Sequence, residues 1–346
     1  MGAKGIYIYG IVPNFYGTTQ FQSLENSGVY AITFQNISAV VSDRDSVYLD
    51  YLDRESLGHL LVHHQKTIEE LQGKGFTMII PMQLGTIAGS KEEVLQSLAC
   101  GYETIIDTLK KIEYLTEIDL AVTWADFGAT IKEIAGHPEI MALKEEILGS
   151  GDKLSQVDQV KIGMLVQEKL DNKNKTIEIN ILDALSPFGI DIKLHPVMND
   201  QMVTNSAFLI TRARQDKFEK AVIKLDEEYD GMLNFKLVGP LPCYSFYTLE
   251  VKKLDPLRVE AARKELGVKE KTTEGEIKKA YLEKAKVFHP DNSLLSDETE
   301  NFNRIRKAYQ ALQEFSAAVR QSSREEYISF TNENVMKNLI LIKIKE

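Results

Sequence analysis

With 346 residues, the chain is long enough for two or three domains, and its 43% hydrophobic and 27% charged content is that of an ordinary globular protein. Its net charge of −10, from 41 basic against 51 acidic residues, excludes the basic footprint that broad nucleic-acid binding needs. No segment approaches the length of a membrane span, and the opening MGAKGIYIYGIV lacks the core and cleavage site of a signal peptide, so Cys100 and Cys243, which match no ligand spacing, are expected as reduced thiols in a cytoplasmic protein.

Residues 5–12 (GIYIYGIV) are β-branched and aromatic and predict a strand. GVYAITF (28–34) and ISAVVSD (37–43) flank Gln35-Asn36 and predict a hairpin. Over 53–73, Leu57, Leu60, Leu61, His64, Ile68 and Leu71 recur at helical spacing, and Gly73 and Gly75 end the run. FTMIIP (76–81) predicts a buried strand, LGTIAGS a loop, Lys91 to Ile112 one amphipathic helix, and TEIDLAVTW (116–124) a further strand. The order β-β-β-α-β-α-β predicts an α+β domain over residues 1–125.

From Asp126 to about Leu185 the pattern is helical, interrupted at Gly136-His137-Pro138 and at Gly149–Gly151. Strands follow at 189–197, 206–212, 232–239 and 244–251, with a helix at 215–229. Helices followed by β-β-α-β-β predict a second α+β domain over 126–253, ferredoxin-like in order. Leu254-Asp255-Pro256 marks the next boundary, and residues 254–318 are helical throughout. Residues 319–346 end in NLILIKIKE, a strand-like tail. Either it returns to pair with the second domain, making the helical module an insertion, or it is an edge open to strand addition. The first reading is preferred because an open edge is an aggregation hazard. The expected class is α+β: two α+β domains, an all-α helical module and a strand-forming tail.

Charge balance also sets the helical module apart. Residues 255–316 hold 12 Lys+Arg and 12 Asp+Glu, so the rest of the chain, 29 basic against 39 acidic, carries the whole −10. Thr273-Glu274-Gly275-Glu276 is a capping box. Ile277, Ala280, Tyr281, Ala285 and Phe288 form an apolar stripe, with Lys278, Lys279, Lys284 and Lys286 largely off it. Pro290 stops the helix near Phe288–His289. Phe302, Ile305, Ala308, Tyr309 and Leu312 mark a second helix, and Pro256 to Leu266, closed by Gly267, a preceding one. ARKELGV, EIKKAYLEKAKVFHPDN and FNRIRKAYQAL, in this order over roughly 60 residues, resemble a J domain, the module by which Hsp40 co-chaperones stimulate Hsp70. The resemblance implies that His289, Pro290 and Asp291 form the functional loop and that Lys278, Lys279, Lys284 and Lys286 form the face that docks on Hsp70. Glu283 interrupts that face, and Phe288 stands where the family commonly has Tyr.

The first 250 residues carry a second resemblance. GIYIYGIVP, HHQKTIEELQGKGFTMIIPMQLGTI (63–87), LTEIDLAVTWAD (115–126), NSAFLITRARQDKFEKAVIKL and LNFKLVGPLPCYSF (233–246) are similar, in order, to the gas vesicle protein F/L family. The family loop reads Pro-hydrophobic-Arg-Phe-Gly-Thr. Here Met82-Gln83-Leu84 replaces its middle, so any role of the arginine is in doubt, while Pro81, Gly85 and Thr86 keep the turn. The resemblance implies a non-enzymatic accessory protein of gas vesicle assembly, cytoplasmic and vesicle-associated. Its implied partners are the hydrophobic shell protein, other accessory proteins and, through the J-like module, Hsp70. A general Hsp40-type co-chaperone with varied clients is the alternative.

Other candidate sites are weak, and neither a cofactor nor a metal is expected. His59 and His63 lie one helical turn apart but lack a third ligand, and His64 falls on the apolar stripe as a core histidine. GSGDK (149–153) lacks phosphate-loop spacing, no Gly-x-Ser-x-Gly elbow is present, and no spacing joins Ser, His and Asp into a triad. Asp226-Glu227-Glu228 is a solvated helix end, and Trp124 a core residue.

Overall fold

A computed structural model describes residues 4–14, 28–45, 53–149, 155–288, 296–323 and 326–345. Its contacts divide the chain into two units, Met1–Glu113 with Tyr247–Glu346, and Tyr114–Phe246.

The first unit opens with β1 (Lys4–Pro13), β2 (Val29–Phe34) and β3 (Ile37–Asp45). β2 and β3 form the expected hairpin, with Gln35 at a positive φ of 48° in its two-residue turn. α1 (Arg54–Gly73) is capped by Asp53 and buries His64, Thr67, Ile68 and Leu71, whereas Leu57 and Leu61 of the same stripe stay exposed. The strand expected over 76–81 shrinks to β4 (Ile80–Pro81), because the Phe76 amide closes the end of α1 on the Leu71 carbonyl (3.0 Å) instead of joining a ladder. The loop after it contains β5 (Ile87–Ala88). The sheet runs β2-β3-β1-β4, with β5 also pairing β1.

The helix expected over 91–112 is two helices, α2 (Lys91–Cys100) and α3 (Tyr102–Ile112). They part at Gly101, where a Cβ would lie 2.7 Å from Ile342 Cγ1, so the glycine admits the C-terminal strand. Tyr7 contacts His64 of α1, while Ile8, the next residue along β1, lines an apolar core with Val94, Leu98 and Ile105 of α2 and α3. Helices therefore cover both faces of this sheet.

The second unit corrects the assignment of the next strand. β6 (Leu115–Trp124), expected to complete the first layer, is central in another sheet, paired with β8 and β9. After it come α4 (Phe127–Ala135), α5 (Pro138–Gly149) and α6 (Gln156–Leu185), then β7 (Asp191–Leu194), β8 (Met202–Thr211), α7 (Gln215–Glu228) and β9 (Leu233–Leu241). All neighbours in the order β7-β8-β6-β9 are antiparallel. This is the ferredoxin-like βαββαβ arrangement with extra helices in its first crossover. Ile118, Leu120, Val122 and Trp124 face Leu170, Ile177, Ile181 and Leu185 of α6 and Phe218 and Val222 of α7.

The chain then returns to the first unit. β10 (Thr248–Lys253), expected in the second sheet, pairs instead with the C-terminal strand β13 (Ile340–Lys345). Between these two strands lie α8 (Pro256–Leu266), β11 (Lys271–Thr272), α9 (Glu274–Val287), α10 (Ser296–Ser322), β12 (Ile328–Ser329) and α11 (Asn332–Lys337). The helical module is thus inserted within a two-stranded ribbon. The tail does return to a strand inside 126–253, but that strand lies outside the ferredoxin-like sheet. The module's core unites Val259 and Leu266 of α8, Ile277 of α9, Ile305, Leu312 and Phe315 of α10, and Ile328, Phe330, Val335 and Leu341 from the tail.

Candidate functional site

α9 begins at the predicted capping box: Thr273 Oγ1 accepts the Glu276 amide (3.2 Å), and Glu276 Oε2 accepts the Thr273 amide (2.9 Å). Ile277 is buried, and Tyr281 stacks on Tyr309 of α10 with centroids 4.2 Å apart and planes 9° from parallel. Lys279 and Lys286 are exposed on the opposite side, together with Leu282 and Glu283, whereas Lys278, also exposed, lines the groove between α9 and α10 with Tyr309 and Gln313. Lys284 is not part of that open surface. It is half-buried, and its ammonium donates to the Glu265 carbonyl at the C-terminal end of α8. His289, Pro290 and Asp291 lie outside the described residues; the helix leading to them ends at Phe288, whose amide donates to the Lys284 carbonyl (3.2 Å).

α10 is committed to the ribbon. Glu314 Oε1 takes Lys252 Nζ of β10 at 2.6 Å and Lys343 Nζ of β13 at 3.6 Å. The Gln321 amide accepts the Ile342 N–H (3.0 Å) and donates to the Ile342 carbonyl, standing in for a neighbouring strand. The β13 edge is therefore covered at Ile342, against the reading of this strand as open to addition.

Pro81, Gly85 and Thr86 are held from two sides. The Met82 amide donates to the Tyr9 carbonyl (2.9 Å), the Ile8 amide to Thr86 O (3.0 Å), and the Gln83 amide to Leu249 O of β10 (2.8 Å). Thr86 Oγ1 donates to the Gln83 carbonyl (2.6 Å), and Gly85 takes the φ of 81° that the turn requires. The Gly85 N–H donates to the Tyr7 hydroxyl (3.2 Å), and that hydroxyl meets His64 Nδ1 (2.8 Å), donating to it when the imidazole carries its proton on Nε2. Burial, then His63 and Arg44, lower the His64 pKa to about 4. Burial is also the main cause that raises Tyr7 to about 12. The loop lacks the family arginine, and the cation here is Arg44 of β3, 5.4 Å from the Tyr7 ring centroid. His59 lies 3.8 Å from Glu55, and His63 Nδ1 meets Thr67 Oγ1 (3.1 Å). Among the described residues no three His, Cys, Asp or Glu side chains are placed to hold a metal ion, and no helix is long and apolar enough to cross a membrane.

The second unit holds a polar cluster that sequence reasoning missed. Glu117 of β6, 1% exposed, accepts the Ser245 amide (2.8 Å) and hydroxyl (2.7 Å). Ser245 Oγ also meets His195 Nε2 (3.0 Å), and its carbonyl accepts Lys193 Nζ (2.8 Å). The serine lies between the carboxyl and the imidazole, so the geometry fastens residue 245 and does not set up a relay through histidine. Burial is the main cause that raises both Glu117 and its neighbour Asp119 above the ordinary carboxylate range. The only prior signal was the alternation of TEIDLAVTW, which puts Glu117 and Asp119 on one face.

Residues 5–248 match the profile described as gas vesicle synthesis protein GvpL/GvpF, and residues 264–320 match the DnaJ domain. The chain is 23% identical over 247 residues to gas vesicle protein F of Nostoc sp. (70% of this chain, 98% of the relative). It is 22% identical over 249 residues to gas vesicle protein F1 of Halobacterium salinarum (72% and 95%). The crystal structure of GvpF from Anabaena sp. aligns with a TM-score of 0.56 at 23% identity, covering 70% of this chain and 97% of that one. GvpF from Microcystis aeruginosa aligns at 0.55 and 22%, covering 70% and 98%.

Proposed function

Because the chain belongs to the GvpL/GvpF family of gas vesicle synthesis proteins and carries a DnaJ domain behind the family region, we propose that it serves its accessory role by chaperoning the hydrophobic shell protein. In this reading the family region holds the shell subunit during assembly alongside other accessory proteins, and the J module recruits Hsp70 to the same place. The supporting observation is the division of labour between the two hairpin helices. α9 exposes Lys278 and Lys279 to an acidic partner, while α10 is bound through Glu314 and Gln321 to the ribbon of the first unit.

Two measurements test it. Purified chain should retain the shell subunit in a pull-down without other accessory proteins; no retention removes the holding role. It should also stimulate the ATPase of a bacterial Hsp70, and His289→Gln should abolish that stimulation. An unstimulated ATPase at saturating wild-type protein makes the module structural. Equal retention of unrelated unfolded proteins would favour the general Hsp40-type co-chaperone.

A further inference from the structure

Side chains three and four positions apart are neighbours on a helix. In α9 (Glu274–Val287), Lys278 and Lys279 stand one turn before Leu282, and Ala285 and Lys286 one turn after it. Three of the four neighbours of Leu282 are thus lysines. The leucine is 46% exposed, while Tyr281 beside it turns inward onto Tyr309. Lys278 carries the same surface on to the groove of about 400 Å³ that it lines with Tyr309 and Gln313 of α10. Val287, the other exposed apolar side chain of the helix, has different neighbours: Glu283 and the inward-turned Lys284.

A single exposed leucine is ordinary surface. A leucine among unpaired charges is more selective about what covers it. Among the described residues Lys278 and Lys279 have no ion-pair partner, so their charge is not neutralised within the module. A purely apolar partner would strip water from two ammoniums and give nothing back. A purely acidic partner would lose its own water against the leucine. Only an apolar seat with an acidic rim satisfies both kinds of side chain. Glu283, on the far side of Lys279, repels such a rim and confines it to the Leu282 side.

We propose that Leu282 is the anchor by which α9 holds Hsp70, with Lys278 and Lys279 as its charged rim. The inference rests on the recruitment of Hsp70 proposed above and names the residue that retains it. Hsp70 is the occupant because the DnaJ match, residues 264–320, contains the whole of this helix, and because the open charges call for an acidic partner. In an interface of this kind the rim charges steer the encounter and set its salt dependence. The desolvated apolar centre sets how long the complex lasts.

The test measures binding of the full chain to a bacterial Hsp70, together with stimulation of its ATPase, for wild type, Leu282→Ala and Leu282→Lys. Both replacements are good helix formers at an exposed position, so the fold is kept. Leu282→Ala should weaken binding about five-fold, through faster dissociation at an unchanged association rate. That is the loss expected for a leucine of which about half is left to bury. Leu282→Lys separates anchor from charge, because it adds a positive charge while removing the apolar contact. Docking by charge alone predicts tighter binding, and an anchor predicts binding at least as weak as that of Leu282→Ala. A Leu282→Lys chain that binds as tightly as wild type or better, or a Leu282→Ala chain with unchanged dissociation, overturns the anchor and leaves the recruitment of Hsp70 standing. Binding without stimulation that both variants weaken supports the anchor and removes the recruiting role. A wild-type chain that neither binds nor stimulates Hsp70 overturns both.

Discussion

Acidification from pH 7 to pH 5 should weaken the first unit through His64. The imidazole is 4% exposed with Nδ1 against the Tyr7 hydroxyl, and burial keeps it neutral in the folded state, with a pKa of about 4 against an ordinary 6.5. Between these values the unfolded chain binds a proton that the folded chain refuses, and stability falls as pH falls. At pH 5 the linkage amounts to about 2 kcal/mol, and it levels off near about 3 kcal/mol below pH 4. Urea unfolding of wild type and His64→Gln at both pH values measures it, because the glutamine oxygen can still accept from Tyr7 but does not titrate. Wild type should lose about 2 kcal/mol more than the variant on acidification. Parallel losses would refute a neutral buried histidine. The loop should report the same event, since a protonated Nδ1 no longer accepts from Tyr7, which also receives the Gly85 amide.

Glu117 should act in the opposite direction in the second unit: burial raises its pKa, the folded state keeps a proton the unfolded chain has lost, and stability falls as pH rises above the ordinary glutamate range. Glu117→Gln should flatten that loss, which falls between about pH 4.5 and about pH 8, in thermal melts. Gln321→Ala should cost about 1–3 kcal/mol and speed exchange of the Ile342 amide, because it strips both partners from that residue's backbone. Gly101→Ala should cost about 1–3 kcal/mol by forcing Ile342 away, read as a lower denaturation midpoint at unchanged slope. Lys278→Glu with Lys279→Glu should lower Hsp70 stimulation and its salt sensitivity, whereas Lys284→Met should appear in stability, by about 1 kcal/mol, through the lost bond to Glu265.

Local features were legible in the sequence where their causes are local. The Gln35-Asn36 hairpin, the Thr273–Glu276 capping box and the Gly267 terminus each rest on a few adjacent residues, and each appears as expected. Sheet membership was not legible. β6 has the same alternation whichever sheet it joins, and its partners, β8 and β9, lie far along the chain. For the same reason β10 was assigned to the wrong sheet. Gly101 reads as one tolerable glycine in a helix until Ile342 is seen against it. The four lysines of α9 look alike at helical spacing, and only the nearby end of α8 shows that Lys284 turns inward. The Ser245 fastening depends on Glu117, separated from it by most of the second unit.

The insertion of the helical module into a ribbon sets its attachment apart from that of a module on a single linker. A module appended by one linker would sample many orientations. Here both chain ends leave through paired strands, and the Leu254 amide donates to the Leu339 carbonyl (2.7 Å) where they meet. Both edges of the ribbon are also occupied, one by Gln83 of the loop and the other by Gln321 of α10. The loop and the hairpin are thus bonded to opposite edges of one two-stranded element. On the proposed function, a partner docked on α9 would be tied to the Pro81–Thr86 loop through one paired element. The proposed recruitment of Hsp70 should then be damaged by removing β13, even with every residue of α9 intact, as read in the ATPase stimulation.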